Sequence, residues 1–512
     1  MALAKEETVV QEHPYQGSSR NGIKLIPQPS SDPADPLKWS QTRKNTLLAI
    51  LSLAAFATTA SAVANQLGLA AQATLYHKSL VELSYSVSSG IAGVAFGALL
   101  AVPLARVIGR SACLWWSLLG TLICGIWSAS MTSPDDYNAF VISRLFGGLF
   151  GSVPSVLGSG FILDIFYLHE RGRALNTFHM SLVLGTVAGP TFGGFIVEHV
   201  SWTVEFWWTV ALQGMIFVAA FFLLEQTAFV RDGVSLELPR RPDGFLASRI
   251  ALLFPGNKSV IPVSGLNLTR YAYAPIAIGL SPVGILIGVF NLASFGWFVT
   301  INTLLTVFLQ RPEKAGGYAF TPQRNAAFTF AFWFGILAAQ LWGYFLNDTI
   351  PLYLCRRAGG NWKPEYRLHS LWIPSLIVMP IGLGIFGVAL QQHLHYMVLA
   401  LGSFLVSFAA IASVPATVNY LAECFRGHVV EVSAILGLYR LSLGLAVPFF
   451  IDPWIERVAG PGWVFGMTAF FSLVAFSLLV LLMWKGRRLR QIRPLGAAFG
   501  GDDEDGTRLF EK

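Results

Sequence analysis

Twelve apolar stretches of about 20 residues alternate with short polar segments along the chain. A helix of about 20 apolar residues is long enough to cross the ~30 Å hydrocarbon core of a bilayer. The pattern therefore predicts twelve membrane-spanning helices and an all-α polytopic membrane protein. The predicted spans cover residues 46–68, 85–105, 112–131, 138–163, 175–196, 203–224, 283–309, 326–346, 370–390, 396–421, 430–451 and 462–484.

The longest polar interruption, residues 225–282, shows no helical periodicity and separates six predicted spans from the other six. It predicts a cytosolic linker between an N-terminal six-helix bundle, residues 46–224, and a C-terminal bundle, residues 283–484. Residues 1–45 are polar and rich in Ser and Pro, which favours a disordered cytosolic arm, and residues 485–512 predict a cytosolic tail. Lys and Arg concentrate in the arm, the linker, the tail and the loops on their side, so both termini are expected in the cytosol.

Composition excludes a soluble globular protein. Of the 512 residues, 54% are hydrophobic and only 12% are charged, about half the charged fraction of soluble domains. The net charge of +7 is scattered and forms no basic-aromatic patch, so no nucleic-acid partner is expected. The cysteines lack metal-ligand spacing, and neither a phosphate-binding loop nor a convincing catalytic triad occurs. We therefore expect no metal, no cofactor and no enzymatic activity.

The fifth predicted span contains the pattern G-x-x-x-G-P-x-x-G-G over residues 185–194. Glycines four residues apart give a helix a flat face, and a proline bends it. Packing by small residues is the simpler interpretation. The whole pattern nevertheless resembles the antiporter motif of the major facilitator superfamily, in the twelve-span drug:proton antiporter branch common in fungi. Its motif residues are Gly185, Gly189, Pro190, Gly193 and Gly194.

This resemblance implies two pseudo-symmetric six-helix bundles around a central cavity that opens alternately to each face of the membrane. It also implies a small-molecule substrate, a proton gradient as the driving force, a monomer in the lipid bilayer, and the plasma membrane as the location.

The loop between the second and third spans is similar to the family's cytosolic gate motif. In the family an acid stands three positions before the motif glycine, whereas this chain has Arg106 there. The gate network is expected around Asp164 or Asp348 instead, unless the gate is weaker than usual. Arg106 and Arg110 could equally be positive-inside anchors. The remaining gate candidates are Gly109, Arg110, Arg171, Arg173 and Asp348.

Charged residues inside the predicted spans are few. Arg144 in the fourth span matches the family's intramembrane arginine linked to proton coupling, although snorkelling to the interface is an alternative. No acid falls at the centre of a predicted span, so the proton-coupling candidates are Glu205, Asp164 and His179, with Glu205 expected on the outward side.

Polar and aromatic residues inside spans are the candidates for a substrate cavity, with helix packing as the alternative for each one. They are Asn65, Gln66, Gln213, Trp297, Asn302, Gln340, Tyr439 and Arg440. Two intramembrane arginines without a central acid favour an anionic or neutral amphipathic substrate over a polycation.

The sequence thus predicts proton-coupled efflux of a small amphipathic organic molecule, such as a secondary metabolite, toxin or drug. An uptake carrier for a polyamine, another cation or a sugar would have the same fold. A membrane solute sensor that does not transport is the alternative of another class.

Overall fold

The computed structural model describes residues 19–20, 23–30, 32, 35–227, 229, 244–254, 265–425, 427–458 and 460–492. Twelve helices in this part of the chain are long and apolar enough to cross a membrane, which confirms the all-α polytopic fold. Spans one to six are Gln41–Gln66, Glu82–Ile108, Arg110–Ser130, Pro134–Ile165, Arg171–Val197 and Val204–Leu223. Spans seven to twelve are Pro282–Gln310, Pro322–Arg357, Pro364–Gln391, Tyr396–Cys424, Val429–Ala446 and Pro461–Gln491.

Four spans are composed of more than one helical segment. Span one consists of the α-helix Gln41–Ala62 and the 3-10 turn Ala64–Gln66. Span four adds the 3-10 turn Pro134–Asp136 to the α-helix Tyr137–Ile165. The segments of span eight are Pro322–Phe328, Phe330–Leu346 and Thr349–Arg357. Those of span nine are the 3-10 helix Pro364–Leu371, the π-helix Trp372–Val378 and the α-helix Met379–Gln391.

Short elements lie between and before the spans. The α-helices are Leu69–Tyr76, Phe245–Leu253, Gly265–Gly279 and Ile451–Arg457. The 3-10 turns are Pro36–Lys38, Glu313–Ala315 and Val447–Phe449. The strands Ser19–Arg20 and Ile23–Lys24 form one antiparallel pair.

The predicted arm is shorter than residues 1–45. Span one already begins at Gln41, where the Ser40 hydroxyl accepts a hydrogen bond from the third helical residue. Ahead of it, Asp35 caps the turn Pro36–Lys38, and Ile26 packs against buried Trp362. Buried apolar contacts order this polar segment, and composition does not reveal them.

The predicted linker and tail also require correction. Helices Phe245–Leu253 and Gly265–Gly279 occupy part of residues 225–282. Helices this short depend on tertiary packing rather than on their own periodicity, and the Trp116 indole donates to the Leu253 carbonyl at 2.9 Å. Span twelve continues to Gln491, so the tail begins after residue 491 and lies almost entirely outside the described residues.

Two sets of six spans pack around separate apolar cores. One core combines residues of spans one to six, such as Leu51, Leu157 and Phe178. Another lies mainly among spans seven to twelve, where the rings of Phe386 and Phe465 are 4.9 Å apart between centroids. We refer to these sets as the N-terminal and C-terminal bundles.

We distinguish the two ends of the molecule by their residues. The arginine-rich end lies where span two ends at Ile108 and span three begins at Arg110. The opposite end lies where span six begins at Val204. The bundles contact each other at both ends, and a cavity remains between them.

Candidate functional site: a cavity between the bundles and a buried charge pair

The cavity between the bundles measures about 110 Å³. Its walls come from spans one, two, four and five on one side and from spans seven, ten and eleven on the other. Most lining side chains are apolar, including Ile91, Leu182 and Phe298. A mostly apolar pocket with a few polar groups is typical of small-molecule sites.

Three of the residues singled out in the sequence line this cavity: His179, Asn302 and Arg440. The His179 Nδ1–H donates to the Leu175 carbonyl at 2.8 Å. Asn302 Nδ2 donates to the Thr186 carbonyl of the other bundle at 3.3 Å. Arg440 Nε donates to Asn291 Oδ1 at 3.1 Å. The cavity therefore combines one imidazole, one amide and one guanidinium with apolar walls.

Six predicted cavity residues lie elsewhere, because each is held in helix packing. Gln66 donates to the Asn302 carbonyl, and Gln340 accepts from Asn176 at 2.6 Å. Tyr439 donates to the Gly279 carbonyl at 3.2 Å, which holds the linker helix Gly265–Gly279. Asn65 donates hydrogen bonds to Gln72 and Ser86. The Gln213 amide is directed to the Ala57 carbonyl. Trp297 lies in a separate apolar crevice beside Trp454.

Arg144 and Glu205 both lie at the break where the helix of span one ends, although no hydrogen bond joins their side chains. After the helix ends at Ala62, Arg144 Nη2 donates to the carbonyls of Ser61 and Ala62 at 2.8 and 2.6 Å. The guanidinium carbon also lies 5.0 Å from the ring centroid of Phe206. These contacts bury Arg144 beneath the cavity wall and exclude snorkelling to the membrane interface.

Glu205 is fully buried on the other side of this break. Its carboxylate packs against Gly68, where a Cβ would collide with it, and the break permits this approach. Among the described residues neither carboxylate oxygen has a hydrogen-bond partner. Burying an unpaired charge is costly, so the arrangement favours a carboxyl group that can gain and lose a proton.

The glycine motif packs against the same part of span one. A Cβ at Gly185 or Gly189 would collide with the carbonyls of Phe56 or Ala60, and one at Gly193 with the Ala64 carbonyl. Gly194 faces Ala326 of span eight, across the bundle interface. Pro190 lies within the helix Arg171–Val197 between these contacts. The motif therefore lets spans one and five pack backbone to backbone beside Glu205.

Ion pairs hold the bundles together at the arginine-rich end. Arg106 Nη2 lies 3.0 Å from Glu431 Oε1 of span eleven, so the acidic partner of Arg106 is this residue of the other bundle and neither Asp164 nor Asp348. Tyr271 of the linker helix covers this arginine, with 4.6 Å from the guanidinium carbon to the ring centroid. Asp348 accepts from the backbone N–H of Arg173 at 3.1 Å, which is a second contact across the interface.

Two of the other gate candidates make their contacts within the N-terminal bundle. Arg110 pairs with Asp164 at 2.7 Å, which places Asp164 in the gate network and away from the cavity. Arg171 is buried and donates to the Phe166 carbonyl at 3.3 Å. Arg173 instead reaches the C-terminal bundle, where its guanidinium carbon lies 5.0 Å from the ring centroid of Tyr344. Gly109 has a φ of +92° and joins spans two and three.

Uncharged contacts dominate the interface at the opposite end. The hydroxyls of Thr191 and Thr329 are 2.6 Å apart, and Thr306 donates to the Gln66 carbonyl at 2.9 Å. The stacked rings of Tyr85 and Phe449 have centroids 5.5 Å apart. The two bundles are thus in contact at both ends of the cavity.

Sequence reasoning missed a cluster around Arg367. This side chain pairs with Asp348 at 2.7 Å and with Glu423 at 2.8 Å, and its Nη2 donates to the Leu168 carbonyl of the N-terminal bundle at 3.2 Å. Glu365 and Arg490 form another buried pair at 3.0 Å. A comparison of the two halves provides a signal for the first cluster, because Asp164 and Glu423 are each the penultimate residue of their spans.

Comparison with known proteins identifies the fold and the family. The model of the Major Facilitator Superfamily matches residues 45–360. The solved structure of the proton:xylose symporter XylE, bound to 6-bromo-6-deoxy-D-glucose, superposes with a TM-score of 0.61 at 15% identity. The match covers 87% of this chain and 96% of that one, and at this identity it supports the fold alone.

Fungal transporters are among the similar curated proteins. The MFS transporter cpaT of Aspergillus oryzae is 27% identical, with 90% of both chains covered. The efflux pump radE of Floropilus chiversii is 25% identical over 90% of this chain and 83% of that protein. The MFS-type transporter penM of Penicillium rubens is 26% identical over 90% and 88%. Together with the family match and the twelve spans, these relatives show that the chain is an integral membrane transporter of the major facilitator superfamily.

Proposed function

We propose that this protein exports a small amphipathic organic molecule from the cytosol in exchange for protons, by alternating access at the plasma membrane. The arginine-rich end faces the cytosol in this proposal, as the distribution of Lys and Arg favours. The observation that carries the proposal is the buried pair of Arg144 and Glu205, directly behind the cavity wall at the break in span one.

Glu205 is the proton carrier in this mechanism. A coupled carrier needs a group that changes its charge as the site turns from one side of the membrane to the other. Arg144 is a charged neighbour of Glu205, but its own hydrogen bonds go to carbonyls of span one. Because no hydrogen bond joins the two side chains, the Glu205 carboxyl group is available to exchange a proton.

The contacts at the two ends make alternating access possible. For the cavity to open to the cytosol, the Arg106–Glu431 pair must separate. For it to open outward, the bonds of Gln66 to span seven must break. Gln66 is two residues from Gly68, the position against which the Glu205 carboxylate packs. Protonation of Glu205 can thus change the contacts that close the outer end.

The direction of transport is supported by two observations. A relative that aligns with 90% of this chain is named an efflux pump, and the antiporter-like glycine motif packs against span one beside Glu205. One proton entering down a membrane potential supplies about 2.3 kcal/mol per 100 mV. At that potential it could sustain roughly a fiftyfold gradient of a neutral substrate.

Deletion of the gene, followed by untargeted comparison of small molecules in cells and medium, tests the direction. Export predicts at least one compound that accumulates in the deletion strain and is depleted from its medium. The same compound should enter everted vesicles that contain the protein when their interior is acidic. A compound that instead disappears from the deleted cells would indicate uptake.

Substitution of the carboxyl group tests the coupling. We expect Glu205→Gln to abolish the pH dependence of transport in these vesicles, because the amide cannot exchange a proton. Glu313→Gln makes the same chemical change in an exposed turn on the surface, away from the buried site of Glu205. It should leave the pH profile of transport unaltered. Unchanged pH dependence in Glu205→Gln would remove this residue from the mechanism.

A further inference from the structure

The polar side chains of the central cavity include basic groups but no acidic ones among the described residues. Arg440 brings a positive charge to the wall, and His179 contributes an imidazole from the other bundle. No aspartate or glutamate is among the described residues that line the cavity. A cationic ligand would therefore find no counter-charge there.

Arg440 is buried without a carboxylate partner in the described part of the chain. Its Nε donates to Asn291 Oδ1, and its enclosed Nη2 atom has no hydrogen-bond partner. Asn291 is itself fixed, since its Nδ2 donates to the Ile287 carbonyl at 2.9 Å. Asn291 thus fixes the orientation of the guanidinium through Nε, while part of the hydrogen-bonding capacity of the guanidinium remains unused.

Arg144 is another buried arginine within a span, and its Nε also has no hydrogen-bond partner. Its Nη2, however, donates two hydrogen bonds to span one, and Glu205 is a charged neighbour. Arg144 also lies outside the set of cavity-lining residues. Of these two arginines, only Arg440 lines the cavity, and no carboxylate is among the described residues that line the cavity with it.

We propose that the cavity binds a compact organic acid whose carboxylate pairs with Arg440 and whose apolar body lies against Phe295, Phe298 and Leu441. A planar carboxylate matches the fork of a guanidinium and can accept two of its N–H groups. The lining rings and aliphatic side chains provide the apolar contacts. This inference deepens the proposed function by naming the chemical class of its substrate.

The volume of the cavity limits the size of this acid in the present conformation. A dry protein cavity of about 150 Å³ holds a benzene molecule, and the present cavity measures only about 110 Å³. A short branched chain therefore fits the apolar part as it stands, and a single ring is the upper limit, which requires the walls to move slightly apart. Benzoate is a suitable probe because it combines one ring with one carboxylate.

Binding to the purified full-length protein in nanodiscs, measured by calorimetry at pH 7.5 without a gradient, tests the inference. The probes are benzoate, benzamide and benzamidine, which share the ring and a planar head but differ in charge. We expect benzoate to bind at least about tenfold more tightly than benzamide, with benzamidine the weakest, because a hydrogen bond between charged groups exceeds a neutral one by about that factor.

Substitutions identify the residue responsible. Arg440→Gln should weaken benzoate binding by about tenfold or more and remove the preference for benzoate over benzamide. Arg440→Lys keeps the positive charge but lacks the two parallel N–H groups of the guanidinium. It should therefore retain part of the benzoate affinity that Arg440→Gln loses. Arg324→Gln, at an exposed position of span eight, is the matched control and should bind benzoate as the unmodified protein does.

Equal or absent binding of the three probes to the unmodified protein would overturn the inference, as would unchanged benzoate affinity in Arg440→Gln. The thermal unfolding temperature of each variant shows whether it is folded. If Arg440→Gln is unfolded, the comparison of Arg440→Lys with the unmodified protein decides, and equal benzoate affinity of those two would count against a fork-shaped contact. Because no gradient is applied, this result is separate from that of the transport experiments.

Discussion

The two halves of the chain contain the same kind of ion pair, but in different surroundings. In each half an arginine near the start of one span pairs with the penultimate residue of the next: Arg110 with Asp164, and Arg367 with Glu423. The side chains of the first pair are 21% and 26% exposed, whereas those of the second are 2% and 3% exposed. The repeated fold therefore preserves the pair and changes its environment.

Both pairs have additional partners, but only those of the buried pair include charged and interbundle contacts among the interactions described for the two pairs. In the exposed pair, Asp164 also accepts from the Thr227 hydroxyl at 2.8 Å. Glu423 accepts from the Trp362 indole at 2.9 Å, and Arg367 also binds Asp348 and the Leu168 carbonyl across the bundle interface. The pair of the C-terminal half therefore belongs to a buried network that also reaches the other bundle, whereas the pair of the N-terminal half is partly exposed to solvent. Two substitutions test this difference, and a third tests the Arg106–Glu431 pair between the bundles at the same end.

The largest effect is expected for Arg367→Gln. It removes the guanidinium that pairs with buried Glu423 and Asp348, and loss of one partner from a buried pair costs about 3–5 kcal/mol. We expect a large fall in thermal stability, measured as the temperature at which half of the monodisperse protein is lost on size-exclusion chromatography. A midpoint equal to that of the unmodified protein would show that the cluster is not a structural anchor.

An intermediate effect is expected for Arg106→Glu, which places two carboxylates together at the arginine-rich end. Their repulsion should keep this end open and expose the cavity to a thiol reagent added from that side. Cysteine at Ser433, a cavity-lining position near the start of span eleven, reports the exposure. The four native cysteines are buried.

The exchange of both charges is the control for that prediction. Arg106→Glu combined with Glu431→Arg should restore the attraction and return labelling of the Ser433→Cys protein toward its original rate. Labelling that stays fast in the double variant would indicate a requirement for the original placement of the charges. Labelling that does not change in Arg106→Glu alone would contradict a gating role for the pair.

The smallest effect is expected for Arg110→Gln. A partly exposed pair contributes about 0–1 kcal/mol and is screened by salt. The thermal midpoint should fall only slightly, and the difference from the unmodified protein should shrink further in high salt. A loss as large as that of Arg367→Gln would erase the distinction between the two halves.

The spans and their number could be predicted from the sequence because hydrocarbon thickness imposes one length on every crossing helix. The 3-10 and π segments of span nine could not, since they depend on how neighbouring spans satisfy the backbone. The same limit explains the linker helices, whose stability comes from contacts with spans that are distant in sequence.

The candidate site was only partly predictable. A buried charge is costly enough for Arg144, Arg440 and Glu205 to stand out from the sequence alone. Amides give no such signal, since an Asn or Gln is equally suited to a cavity or to a carbonyl of the next helix. Glu431 as the partner of Arg106 was hidden for another reason, because the two positions are 325 residues apart and only the meeting of the bundles joins them.

The helix Gly265–Gly279 gives the connection between the halves a mechanical role. Tyr271 covers an arginine of span two, while the Gly279 carbonyl accepts from Tyr439 of span eleven. The helix is therefore held to both bundles, near its middle by the first contact and at its last residue by the second. If the bundles separate at this end, as the proposed function requires, the helix must move with one of them and one of the two contacts must break.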